Sequence, residues 1–351
     1  MVTKRNYAID FLRILACMMV VFGHTAAEAW YVHVPRSYEW TVLNVFDTFC
    51  RPSVPLFIMI SGYLFLRKKH IDYKKLWLNN ILHILVVYAV WILFYAIVYP
   101  GLKKSLHDLG AIRENILGLF PAYHMWYLRV LVGLYAIVPL LWALVRAMDK
   151  RLLRYFIFVF LTLGIIKNTI YNMTDVTSWI HKQIGFFGTV ELVEYTGYFM
   201  LGYILAEEKT NLQRLSNKAL FLIYLFTFII ASVLNQVISI LKNEPVEDLY
   251  GTFSFFVMIE AVCLFVLFLR KFSDLDIPEK TGKWINRLSE ATLFIYLIHP
   301  FVIFRFQIYF HFYVESFNVL FCAPILASVI FILSAIVGMI LKRIPVIRYF
   351  M

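Results

Sequence analysis

Residues 11–31 read FLRILACMMVVFGHTAAEAWY. The run is almost wholly apolar and contains no proline. About 20 such residues, as a helix, cross roughly 30 Å of hydrocarbon. Lys4 and Arg5 precede it, and no small-residue cleavage site follows, so it reads as a retained first span and not as a removable signal. Runs of similar character recur at 44–66, 79–99, 125–146, 154–171, 188–206, 219–241, 252–270, 290–313 and 319–341. The sequence therefore predicts an all-α membrane protein, a bundle of about ten transmembrane helices.

Composition agrees. The chain is 62% hydrophobic and 16% charged, with a mean hydropathy of +0.75. A soluble domain is about 45–50% apolar and about 25% charged. No polar stretch is long enough for a separate soluble domain, so residues 1–351 are expected to form a single integral membrane domain. The net charge of +11 does not indicate nucleic acid, because the basic residues sit in short loops between apolar runs. Alternate loops divide them unevenly. Twenty-two lie with the termini and every second loop, including Arg67, Lys68, Lys69, Lys74 and Lys75; six lie in the opposite loops. The positive-inside rule then places both termini in the cytoplasm. Cys17, Cys50, Cys263 and Cys322 lie in apolar surroundings without CxxC spacing and read as small hydrophobes. No metal-ligand cluster is visible and no metal is expected.

Five cations fall in or beside the spans: Arg13, Arg51, Arg129, Lys167 and Arg305, with Arg51 and Arg305 the deepest. Charges at membrane depth are costly and usually line a cavity or meet a partner. Arg13 and His24 are eleven residues apart, roughly 20° from eclipsed on a helix and separated by a rise of about 16 Å. They share a face. Asp10, three residues before Arg13, is placed to pair with it, and Glu28 lies one turn beyond His24. A fixed cation near the entrance suits a phosphate-bearing donor. A deeper His with a neighbouring acid suits proton transfer or acyl acceptance. Against this stand two plainer readings, Arg13 snorkelling to the interface and His24 as a hydrogen-bonded packing residue.

Further along, Pro55 is expected to kink the second span, and Ser61-Gly62 permits close helix approach. His124, Trp126 and Tyr127 open the fourth span among interfacial aromatics. Tyr296-Leu297-Ile298-His299-Pro300 sets another His before a helix-bending proline.

Taken together, Arg13 and His24, the segments 54–57 and 61–64 (VPLF, SGYL), His124-Met125-Trp126-Tyr127-Leu128, Tyr135, Pro139, 197–203 (GYFMLGY) and 296–300 (YLIHP) resemble the acyltransferase-3 family of integral membrane acyltransferases. The resemblance spans nearly the whole chain and rests on the conjunction of motifs. The branch nearest in character holds O-acetyltransferases of surface polysaccharides. The resemblance implies a ten-helix enzyme of the bacterial cytoplasmic membrane. Such an enzyme carries an acyl group, usually acetyl from acetyl-CoA as co-substrate, to a carbohydrate hydroxyl, with no tightly bound cofactor. His24 and Arg13 match the family's histidine and arginine. Where relatives carry Arg-x-x-Arg, this chain has Asn80 and His83, so donor binding falls to Arg13, Lys74, Lys75, Asn80 and His83. The expected acceptor groove uses His124, Trp126 and Tyr127, because aromatic rings suit the apolar faces of sugars. Asp10, Glu28, Arg51, Ser61 and His299 are expected core support. The expected partners are the lipid bilayer, the acyl-CoA donor, a carbohydrate acceptor and polysaccharide-biosynthesis proteins. A transporter or flippase of a sugar or glycolipid, and a non-catalytic membrane subunit of a synthase, remain alternatives.

Overall fold

The computed structural model describes residues 6–98, 110, 120–174, 178–179, 183, 191–207 and 214–344. Among these, all regular structure is helical. The helices are α1 (Tyr7–Trp30), α2 (Tyr38–Cys50), α3 (Ser53–Leu66), α4 (Tyr73–Val98), α5 (Trp126–Ala147), α6 (Lys150–Met173), α7 (Glu191–Ala206), α8 (Asn217–Lys242), α9 (Phe255–Phe272), α10 (Glu279–Phe310) and α11 (Val319–Leu341). Among the described residues eight helices are long and apolar enough to cross a membrane: α1, α2 with α3, α4, α5, α6, α8, α10 and α11. The other two expected spans coincide with α7 and α9. Among the described residues α7 has only 16 positions, and the 18 of α9 include Glu260, Arg270 and Lys271.

Side-chain caps fix several helix starts. Asn6 accepts from the Ala8 N–H at 2.9 Å, Ser37 from that of Trp40 at 3.1 Å and Ser216 from that of Ala219 at 3.1 Å. Each satisfies an amide that has no partner within its own helix. The Ser37 cap starts α2 at Tyr38, six residues before the apolar run that marked the second span, and Asn44 at the head of that run is buried with the Tyr250 hydroxyl as a partner. The expected kink at Pro55 is also displaced. The break falls at Arg51 and Pro52, and Pro55 stands in the first turn of α3, where a missing N–H costs no intrahelical bond.

The chain divides into two compact units, residues 1–67 with 147–339 and residues 68–146 with 340–351. In the first, α1 packs against α2, α3, α9 and α10. Its contact with α10 is parallel and in register. A Cβ on Gly282 would strike the Tyr7 hydroxyl, the Cys17 thiol meets the Thr292 carbonyl at 3.5 Å, and His24 meets His299 at 2.7 Å. The last two pairs are each 275 residues apart in sequence, and Tyr7 with Gly282 keeps the same offset. The two helices thus run side by side in one direction. Lipid tails are as apolar as leucine, so close packing of small residues and interhelical hydrogen bonds hold such helices together. The α3–α7 crossing shows this. A Cβ on Gly62 would collide with the Phe199 carbonyl, and one on Gly202 with that of Met59. Arg67 and Glu207 then join the two C-terminal ends at 2.8 Å.

In the second unit α4 begins with a short α-helical turn, widens to a π-helical stretch at Leu76–Ile81 and continues as α-helix. It packs against the turn Phe120–Met125.

Candidate active site

His24 lies on α1, six residues before its C-terminal Trp30. Its Nδ1 is 2.7 Å from Nε2 of His299, and the two rings stack with centroids 5.0 Å apart. His299 is fully buried, and its Nδ1 faces the carbonyl oxygens of Ile295 at 3.1 Å and Tyr296 at 2.8 Å. A deep histidine is thus brought to a second histidine 275 residues away by the α1–α10 register. Below it on α1, Arg13 is half-buried and makes no hydrogen bond or ion pair among the described residues. The expected Asp10–Arg13 pair is not formed. Asp10 is buried at 4% exposure on the packed side of the helix, so the three-residue spacing does not bring the two groups together. Glu28, beyond His24, is exposed and accepts a long hydrogen bond of 3.4 Å from Gln307 on α10.

Arg51 sits at the break between α2 and α3. Its Nε donates to Asp47 at 3.0 Å, a second nitrogen also bonds Asp47, and a third donates to Glu247 at 3.1 Å. The guanidinium lies 4.6 Å from the centre of the Tyr250 ring. The Tyr31 hydroxyl bonds Glu247, and the Tyr250 hydroxyl donates to Asn44 at 2.5 Å. Asn235 donates to Asn44 at 3.1 Å and to the Val246 carbonyl at 2.9 Å. Residues 243–254 are tied in this way to α1, α2 and α8. Burial raises the Glu247 carboxyl, but the Arg51 charge and the hydrogen bonds from Tyr31 and Arg51 outweigh it and hold Glu247 below the usual glutamate value. The cluster adjoins the histidine pair. A Cβ on Gly23 would lie 3.1 Å from that of Cys50, and their chain neighbours are His24 and Arg51.

Ser61 is buried beside Gly62 at the α3–α7 crossing. Arg305 is half-buried, its guanidinium 5.0 Å from the Phe301 ring and 5.8 Å from that of Tyr309. Lys167 pairs with Glu194 at 3.4 Å, both largely buried, and Asn168 donates to the same carboxylate at 2.7 Å.

The remaining expected site residues lie in the second unit. Lys74 and Lys75 are exposed in the first turn of α4, while Asn80 and His83 are half-buried on and just after its π-helical stretch. Burial and the charge of Lys75 lower the Lys68 ammonium below the usual lysine value, the sign of a crowded basic face. His124 is buried, edge-on to Tyr95 with ring centroids 5.3 Å apart. Trp126 is half-buried, and Tyr127 is buried beside it.

The sequence profile described as an acyltransferase domain, that of the acyltransferase-3 family, matches residues 6–343. The chain belongs to the acyltransferase-3 family. No curated protein and no solved structure gave a match. As an acyltransferase-3 protein it is a multi-pass membrane acyltransferase.

Sequence reasoning passed over several residues of this acyltransferase. Asp47 is one, although its i, i+4 spacing to Arg51 on a helix was a readable signal. Asn44 and Tyr250 carried no signal, since their meeting depends on how 243–254 folds back. Glu260 of α9 was also missed; it is fully buried, and neither carboxylate oxygen has a hydrogen-bond partner among the described residues.

Proposed function

We propose that this acyltransferase moves an acetyl group from acetyl-CoA, on the cytoplasmic side of a bacterial membrane, to a hydroxyl of a cell-surface polysaccharide or its lipid-linked precursor. The observation that carries this reading is the pairing of His24 on α1 with His299 on α10, above an Arg13 that has no ion-pair partner among the described residues. Arg13 supplies a cation for the donor's phosphates. The basic start of α4, with Lys74 and Lys75 exposed, supports binding of an anionic group on the second unit. Asn80 and His83 on the same helix stand where relatives carry the arginine pair. Buried His124 backs Tyr95, and the half-buried Trp126, with Tyr127 packed beneath it, offers its ring to an acceptor sugar.

The chemistry is a thioester-to-ester exchange. His24 takes the proton of the acceptor hydroxyl as the oxygen attacks the thioester carbonyl. The C–S bond breaks, a C–O bond forms, and the proton passes from His24 to the departing thiolate. Atoms and protons balance without a metal or a tightly bound cofactor.

The test is purified protein in lipid nanodiscs titrated with acetyl-CoA and then with its Arg13→Ala variant. Saturable binding weakened by the substitution is expected. Absence of acetyl-CoA binding would favour a glycolipid transporter, to which buried charges suit equally well.

A further inference from the structure

We propose that the His299-Pro300 pair is a tautomer lock, a positioning device that sets which nitrogen of His24 carries the reactive lone pair. The inference rests on the reading of His24 as the base.

The device begins with the proline. Pro300 lies inside α10, and having no N–H it cannot donate to the carbonyl four residues back, that of Tyr296. A buried carbonyl robbed of its helical donor needs another. His299 supplies it. Its Nδ1 is 2.8 Å from the Tyr296 oxygen and 3.1 Å from that of Ile295. Carbonyl oxygens only accept, so the proton resides on Nδ1 of His299. A neutral imidazole with its proton on Nδ1 carries its lone pair on Nε2. That Nε2 is 2.7 Å from Nδ1 of His24, so Nδ1 of His24 must donate. The lone pair of His24 is then fixed on Nε2, the nitrogen that takes the hydroxyl proton.

Every step follows from geometry. His299 has no accessible surface, so water does not compete for either of its nitrogens. The register of α1 against α10, repeated at Cys17 and Thr292, holds the two rings in place. The sequence pair His-Pro thus works as a unit: the proline exposes a carbonyl, and the histidine that covers it is oriented in consequence. The logic is that of a buried group that holds a catalytic imidazole in one tautomer.

Solid-state NMR of protein labelled with ¹⁵N-histidine reads the tautomer directly, with the His24 signals assigned by their loss in His24→Gln. In the unaltered protein His24 is expected with its proton on Nδ1. In His299→Leu the Nε2–H form should grow in. In His299→Gln, whose side-chain oxygen can accept from His24, the Nδ1–H form should persist. Activity is followed alongside with acetyl-CoA as donor and membranes of the native cell as acceptor. His299→Leu should lose about 100-fold in kcat, the lower end of what a positioned base contributes, at a nearly unchanged KM for acetyl-CoA. His299→Gln should recover most of that loss. Pro300→Ala, which restores a competing N–H to Tyr296, should fall between. His24 carrying its proton on Nε2 in the unaltered protein would overturn the proposal, as would equal kcat in the Leu and Gln variants. The expected tautomer in a protein that transfers no acetyl group would leave the lock standing and sink the acyltransfer reading of this site instead.

Discussion

Single side chains account for most of the chemistry argued above, and they differ in what their removal should do. His24→Ala is expected to abolish acyl transfer without unfolding the protein, because His24 is half-buried beside helices already held by the Cys17–Thr292 and Tyr7–Gly282 contacts; activity at the unaltered level in a folded variant would remove it from the mechanism. Arg51 should behave oppositely. Arg51→Leu leaves Asp47 buried beside Glu247 with no cation, at a cost of about 3 kcal/mol, the lower end for breaking a buried pair, measurable as reduced thermal stability in detergent. Glu247→Gln should cost less than about 1 kcal/mol, since that carboxylate is 41% exposed. The same pair sets an acid limit. Glu247 titrates below its ordinary value of 4.5 in the folded protein, so its contribution is complete above that value and is lost as pH falls through the lowered one. Thermal stability should drop below about pH 4.5, and Glu247→Gln should flatten the drop. His24 and Arg13 were legible in the sequence because helical spacing alone aligns them. Asp47 could have been read from its spacing to Arg51. Glu247, Tyr250 and Asn44 could not, because their meeting is made by a returning loop and no local pattern records it.

Helices show the same division between local and distant causes. Apolar length located the long spans, and Ser or Asn caps mark several of their starts. The break in the second span was misplaced by three residues because Pro52 and Pro55 are both plausible breakers, and only the first ends a helix. Glycine at 62 was readable as a packing residue, though its partners, the Phe199 carbonyl and Gly202 opposite Met59, were not. Gly62→Val and Gly202→Val should each destabilise by about 3 kcal/mol, the upper end for overpacking, because the added atoms meet backbone that cannot rotate away. Gly251→Ala, whose Cβ would only approach the Asn172 side chain at 3.3 Å, is the milder control. Equal melting temperatures for all three variants would refute the close α3–α7 crossing.

For the chain as a whole, hydropathy carried the all-helical membrane architecture, and the family match over residues 6–343 fits the conjunction of weak motifs that spans the same length. Pairing between distant helices was not legible: nothing in residues 7–30 announces that α10 lies alongside with a constant offset, yet that register brings two histidines isolated in sequence into contact. Among the described residues α7 has 16 positions and α9 carries three charges, which separates both from the eight helices long and apolar enough to span. The central claim, that the membrane bundle transfers acyl groups to surface carbohydrate through His24, is tested most directly by the O-acyl content of glycans isolated from cells that carry either the unaltered protein or His24→Ala, read by NMR and mass spectrometry. The account predicts ester-linked acetyl groups in the first glycan and their loss in the second, with the variant present in the membrane at equal level; identical O-acyl content in both would contradict it.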